Sequence, residues 1–166
     1  LDVNGSLIAG TNNVKLGTFN GDYEFSKIRK LSHDVAGDKY GWSVDNDGKH
    51  AIIGIKATSG IGFADIYDVV TGTKLHRLTA NDGANDDAFG RSVAISGNYA
   101  IVGAWGDDDN GGNSGSAYIF DVTTGNQLHK LVSGLPNATR YFGFGVDIGG
   151  NYAIVGAYRD PVDGSN

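Results

Sequence analysis

The chain has no cysteine and only two prolines among its 166 residues. Without cysteine, neither a disulfide framework nor a thiolate metal site can form. A disulfide-stapled mini-domain is therefore excluded, while the compartment stays open. No apolar run approaches the roughly 18 residues of a membrane span, so no membrane insertion is expected. No basic-then-apolar leader opens the sequence, which says little if the chain is a piece of a longer protein. Positive charge is scarce as well, with 13 Lys and Arg against 19 Asp and Glu and a net charge of −6. The basic residues are scattered, whereas phosphate binding needs them clustered, so nucleic acid is not an expected partner. No stretch of useful length carries a helical period.

Glycine is abundant, at 27 residues, and 40% of the chain is hydrophobic. That is enough apolar material for the core of one domain. Glycine at this level without a collagen period points to many tight turns between short strands.

Internal repetition is the strongest signal. "FGRSVAISGNYAIVGAW" at 89–105 returns as "FGFGVDIGGNYAIVGAY" at 142–158 and, more weakly, as "YGWSVDNDGKHAIIGIK" at 40–56. A truncated copy, "LDVNGSLIAGT", occupies 1–11. Downstream, "SAYIFDVTTGNQLHKL" at 116–131 matches "ADIYDVVTGTKLHRL" at 64–78 and the shorter "DYEFSKIRKL" at 22–31. The glycine that ends each apolar run falls at Gly10, Gly54, Gly103 and Gly156, spacings of 44, 49 and 53 residues.

Each unit reads as four short strands. In the third unit the first strand runs from Phe89-Gly90 through Val93 to Ile95, and Gly97-Asn98 turns it into a nearly all-apolar second strand, Tyr99 to Gly103. Such a run suits an inner strand covered on both faces. A third strand spans Ala117 to Asp121, a turn follows at Thr123 to Asn126, and a fourth spans Gln127 to Leu131. The basic pair His129-Lys130 in the fourth suits a charge-protected outer edge. Four-stranded units of 40 to 50 residues are the pattern of β-propeller blades. The expected architecture is all-β, one partial propeller domain over 1–166 with about three and a half blades: an incomplete blade at 1–39, blades at 40–88 and 89–141, and a half blade at 142–166.

At these residues the sequence resembles the FG-GAP repeats of integrin α-chain-like β-propellers. The namesake residues are Phe89-Gly90 with Gly103-Ala104 and Phe142-Gly143 with Gly156-Ala157, and Tyr40-Gly41 with Gly54-Ile55 is a degenerate copy. The resemblance covers nearly the whole chain. It implies a propeller, usually seven-bladed, used mostly for extracellular adhesion and ligand binding. Many members carry a DxDxDG calcium loop between the first and second strands. Here that connection is "SGN" at 96–98 or "GGN" at 149–151, which has no carboxylate, and "DNDG" at 45–48 is too short to wrap an ion. The usual calcium sites of the family are therefore not expected.

The propeller arrangement puts two other acidic loops on one rim. Asp107, Asp108 and Asp109 lie between the second and third strands, and Asp82, Asp86 and Asp87 lie in the connection to the next unit. Calcium takes six to eight oxygens, which clustered Asp and Asn side chains and glycine-freed carbonyls can supply. Asp82, Asp86, Asp107 and Asp109 are the candidate metal ligands. Alternatively, glycine makes the turns while aspartate solvates them and accepts local backbone hydrogen bonds. Trp105 and Tyr158 occupy equivalent places just beyond the inner strand. Exposed, they stack on a sugar or anchor a protein partner; buried, they cap the blade core. Trp42, inside a first strand, is expected to pack.

Catalytic patterns are weak. His76 and His129 are equivalent repeat positions, as are Ser43 and Ser92, and His33 and His50 have no recognisable partner spacing. The expected function is a non-enzymatic binding or adhesion module on the outside of a cell or virion. It would present Trp105, Tyr158 and Asp107 to Asp109 to a protein or carbohydrate ligand. The rivals are a structural or assembly module of a surface protein or viral fibre, and the propeller portion of a secreted hydrolase. Because the repeats stop partway through units, either the remainder of a longer propeller or a second copy of the chain is expected to complete the ring.

Overall fold

The computed structural model describes residues 13–19, 25–32, 39–57, 60–134 and 140–159. The copy at 1–11 and the closing "DPVDGSN" lie outside the described residues. The described chain is all-β, and its sheets are blades of a partial propeller. One four-stranded sheet runs in simple order through β3 (Lys39–Asn46), β4 (His50–Lys56), β5 (Phe63–Asp68) and β6 (Lys74–Leu78). A second repeats it as β7 (Ser92–Ser96), β8 (Tyr99–Ala104), β9 (Ser116–Asp121) and β10 (Gln127–Val132). An inner pair, β11 (Phe142–Gly149) with β12 (Tyr152–Ala157), follows, and a separate pair, β1 (Asn13–Phe19) with β2 (Phe25–Ser32), precedes. All strand pairings are antiparallel.

The sequence "DVxTG" explains where the outer hairpins turn. Asp68 ends β5 and accepts hydrogen bonds at Oδ1 from the Thr71 amide (2.7 Å) and hydroxyl (2.9 Å). Asp121 repeats this with Thr124 at 2.7 and 3.0 Å. The carboxylate thus takes over from the strand ladder and stabilises the turn locally.

Each blade buries both faces, because period-two alternation sends neighbouring residues to opposite sides. Ile52, Ala64, Ile66 and Leu78 of one blade meet Val93, Ile95, Val102, Tyr118 and Phe120 of the next in a single cluster. Ile53, Ile55 and Phe63 face the other way, toward Leu31. Ala94, Ile101 and Ala117 pack against Ile148 of the half blade. Full burial of an Ile or Phe contributes about 1.5–3 kcal/mol, so the wedges between blades carry most of the stability. Burial is incomplete on the edge strands, with Val44 of β3 54% exposed, and on β12, whose Tyr152 and Ile154 are 82% and 69% exposed.

Backbone contacts set how closely the blades approach. A Cβ at Gly54 would run into the carbonyl oxygen of Gly90, and one at Gly103 into that of Gly143. Gly90 and Gly143 both have φ of +85°, a conformation that disfavours any side chain. Each Phe-Gly pair therefore docks its carbonyl on the glycine ending the previous blade's inner strand. A ladder reinforces the joint. Ser43 Oγ, Asp45 Oδ2 and Asp47 Oδ2 accept from the amides of Val93 (3.1 Å), Ile95 (2.9 Å) and Gly97 (3.0 Å). These side chains satisfy donors along the inner edge of β7 that no strand pairs.

Gly103 and Gly156 are repeat equivalents, yet at Gly156 a Cβ would meet only Gly145 backbone atoms at 3.5 Å and beyond. Gly103→Ala is expected to destabilise by about 1–3 kcal/mol through overpacking, and Gly156→Ala by less than about 0.5 kcal/mol. Urea midpoints of the two variants check this, and equal losses would contradict the docking role.

Candidate functional site

The loop from Asp107 to Gly115 is built around Asp107, which is 3% exposed. Its carbonyl accepts from Gly115 N (2.9 Å) and Ser114 Oγ (3.2 Å), closing the loop on itself. Its carboxylate accepts from the Tyr118 hydroxyl (2.7 Å) at Oδ2 and from the Asp109 amide (3.0 Å) at Oδ1. The two acidic loops are joined by a cation from the same chain. Lys130 Nζ, on β10, lies 2.9 Å from Asp107 Oδ2, 2.8 Å from Asp82 Oδ2 and 2.7 Å from Asp109 Oδ2. Three of the four candidate metal ligands thus converge, and a lysine ammonium stands among them. Lys130 is turned inward rather than guarding an outer edge, because three carboxylates outweigh its exposure to water.

The remaining rim acids behave differently. Asp86 is exposed and left-handed at φ 69°, outside the lysine cluster, and Asp108 is exposed. Asp87 is buried and accepts the Ala84 amide at 2.7 Å, and its carbonyl accepts from Gly106 N at 3.0 Å. The two loops therefore share one rim. Among the described residues no group of three His, Cys, Asp or Glu side chains is arranged to hold a metal ion.

Electrostatics follow the geometry. Burial works to raise the pKa of Asp107, but the bonds from Tyr118 and Lys130 outweigh it and hold the carboxyl below the usual range. Asp82 is lowered in the same way, against burial, chiefly by Lys130. Burial opposes the Lys130 charge, yet its bonds to Asp109, Asp82 and Asp107 push its pKa well up. Burial raises Asp87, and the carboxylates of Asp107, Asp108 and Asp109 add to the rise.

Aromatic residues gather beside this rim. Trp105 is partly buried against Tyr141, edge to face at 5.1 Å, and lies 6.4 Å from Phe144. Tyr158 stacks on Phe144 at 5.2 Å and 25°, and is itself 68% exposed. These four rings and Arg159 line a cleft of about 220 Å³. The two expected aromatics are thus brought together, one half-buried and one open. Sequence reasoning missed Tyr141 and Phe144; their signal was position, because Phe144 follows the Phe142-Gly143 pair as Trp42 follows Tyr40-Gly41. Trp42, expected to pack, is 44% exposed, with the Arg91 guanidinium 5.4 Å and the Lys56 ammonium 5.9 Å from its ring. It sits on the edge strand β3, where the next blade reaches it through the Arg91 guanidinium and leaves close to half of it open.

The histidines of the repeat are structural in placement. His76 Nε2 is 3.0 Å from the Thr123 carbonyl of the next blade, and its equivalent His129 is exposed.

Propeller blades interlocked through Phe-Gly and Gly-Ala contacts, with loops gathered on one rim, define a repeat module. The FG-GAP repeat family matches residues 73–120 and 126–166, more than half of the chain, and the chain belongs to that family. A comparison with curated proteins finds no match.

The charge cluster has a pH signature. Asp82 and Asp107 have lowered folded pKa values, so their stabilisation is complete above about pH 4, the unfolded value. It drains as the pH falls through the lower folded values, where the unfolded chain binds more protons. Asp87 runs the opposite way, since its raised pKa makes protonation favourable in the fold. The urea midpoint is expected to fall below about pH 4, and to fall less steeply in Lys130→Ala, which removes the main cause of the depression at Asp82 and one of the causes at Asp107. The Lys130→Ala change itself should destabilise by less than about 3–5 kcal/mol, the cost of a fully buried broken pair, because the lysine is partly exposed. Identical acid slopes in the two proteins would contradict this assignment.

Proposed function

We propose that this FG-GAP chain is a non-enzymatic binding module that takes a protein or carbohydrate ligand on the rim bearing Trp105 and Tyr158. The observation that carries this reading is the stacked, half-open ring cluster around the cleft. Large aromatics are normally mostly buried, and open ones with satisfied neighbours are what anchored recognition uses. Adhesion, with a location outside the cell or on a virion surface, accords with the use of the family. In this reading Asp107 and Asp109 organise the rim through Lys130, and Asp108 is available to a ligand. The units at 1–39, 40–88, 89–141 and 142–166 act as successive blades, completed by the remainder of a longer propeller or by a second copy.

A second reading, an assembly module, is favoured by the exposure of Tyr152 and Ile154 on β12, a face that tends toward association. One experiment separates the two. Glycan-array and pull-down binding by the chain should be lost in Tyr158→Ala while the melting temperature stays unchanged. Absence of any binding, together with ordered self-assembly in light scattering, would replace the first reading by the second.

Calcium is proposed to occupy the rim only when the ammonium leaves it. Millimolar calcium should leave the melting temperature of the wild-type chain unchanged and raise that of Lys130→Ala. At ten times Kd the gain would be about 1.4 kcal/mol by mass action. A wild-type melting temperature that rises with calcium and returns with chelator would show that the metal displaces the lysine.

A further inference from the structure

The cleft is basic in a chain that is acidic. Of the five arginines, Arg159 lines it and Arg91 lies against one of its rings. The Arg91 guanidinium is 4.5 Å from the Phe144 ring centre, and that of Arg159 is 5.8 Å from the Tyr141 ring centre. The Arg159 amide donates to the Arg140 carbonyl at 3.1 Å, fixing the segment that follows β12 against the one that leads into β11. Tyr141 takes φ of 54°, a costly choice for a tyrosine, of order 1–3 kcal/mol. Ala88, its equivalent, takes φ of 57°. The turn into each Phe-Gly pair therefore demands this conformation, and at 141 alanine is replaced by a ring set on Trp105. The indole N–H of Trp105 is buried and has no acceptor among the described residues.

These features restrict the ligand. At about 220 Å³ the cleft is below the 300–1,000 Å³ of drug-sized pockets, so it admits a single ring. Phe144 and Tyr141 already have guanidinium partners, and the positive charge disfavours a quaternary ammonium, which an empty aromatic cage would take. A polyanion is disfavoured by the exposed Asp86 and Asp108 on the adjoining rim. A ligand with one negative charge and one flat apolar face satisfies both conditions. We propose that the cleft of Trp105, Tyr141, Phe144, Tyr158 and Arg159 binds a carboxylate-bearing sugar, its ring stacked on Tyr158 and its carboxylate on Arg159. Arginine offers two parallel N–H donors that match a carboxylate, while the exposed stacked ring offers a platform for the C–H face of a pyranose. This inference rests on the binding-module reading and names the ligand class for its site.

Titration of the chain by NMR with methyl β-glucuronide, methyl β-glucoside and sodium acetate tests it. The glucuronide should bind saturably, and about tenfold or more tighter than the glucoside, the discrimination expected of one charged hydrogen-bonded pair. Acetate should not compete at the same concentration. Arg159→Gln should abolish the preference for the glucuronide over the glucoside, Arg159→Lys should retain part of it, and Tyr158→Ala should abolish binding of both. Both residues lie at the open end of the inner pair, and unchanged melting temperatures verify the fold. Equal binding of the two glycosides with loss in Tyr158→Ala overturns the acidic-sugar assignment and leaves the binding module standing. Competition by acetate overturns it too, since the ring then plays no part. No binding of any of the three overturns it outright, and the array and pull-down then decide separately on the module.

Discussion

The structure depends on one close approach, the carbonyl of a Phe-Gly glycine resting where the previous blade's Gly-Ala glycine has no side chain. It occurs at Gly90 on Gly54 and at Gly143 on Gly103. Two glycines are needed for different reasons: the first must reach positive φ, and the second must leave room. The spacing they fix brings the two apolar faces into contact, so that Ile52, Ala64 and Ile66 of one blade can pack with Val93, Val102 and Phe120 of the next. It also brings Ser43, Asp45 and Asp47 within reach of the β7 amides. A methyl group at Gly54 would separate all of these at once, which is why the signature is a pair of short motifs rather than a hydrophobic pattern.

Charge is organised around the same joints. Arg77 and Lys130 are equivalent positions on the outer strands, and both turn onto aspartate. Arg77 holds Asp65, on the neighbouring strand, through two bonds of 2.9 and 3.1 Å. At the place of Asp65 the next blade has Tyr118, so Lys130 reaches past it to the loops instead, and the Tyr118 hydroxyl joins the cluster through Asp107. A fully buried Asp65 and a nearly buried Asp107 are tolerable only because each is paired and hydrogen-bonded. The outer strand thus anchors whatever lies above it, a neighbouring strand in one blade and two rim loops in the other.

Much of the fold was legible because it repeats. Three aligned copies of "GNYAIVGA"-like sequence reveal the inner strands, and the "DVxTG" turns locate the outer hairpins without long-range information. The lysine cluster was not legible, since Asp82, Asp107, Asp109 and Lys130 lie on three separate segments and only the meeting of two loops over β10 joins them. A hint was present in the equivalence of Arg77 and Lys130, which marks a retained cation, though not its direction. The exposure of Trp42 was also hidden, because alternation along β3 tells which residues share a face but not whether a neighbour covers it.

Internal repetition also separates the positions that stay constant from those that vary. Gly54, Gly103 and Gly156 are identical, as are Ala51, Ala100 and Ala153, and at Gly54 and Gly103 the blade joint leaves no room for a side chain. The residues two places beyond the glycine are Lys56, Trp105 and Tyr158, and those opening the first strands are Trp42, Arg91 and Phe144. A purely structural cap would face the same geometry in every blade and would tend to the same residue. These six positions instead mix cations with rings, and Arg91 lies between Trp42 and Phe144, 5.4 Å from one ring centre and 4.5 Å from the other.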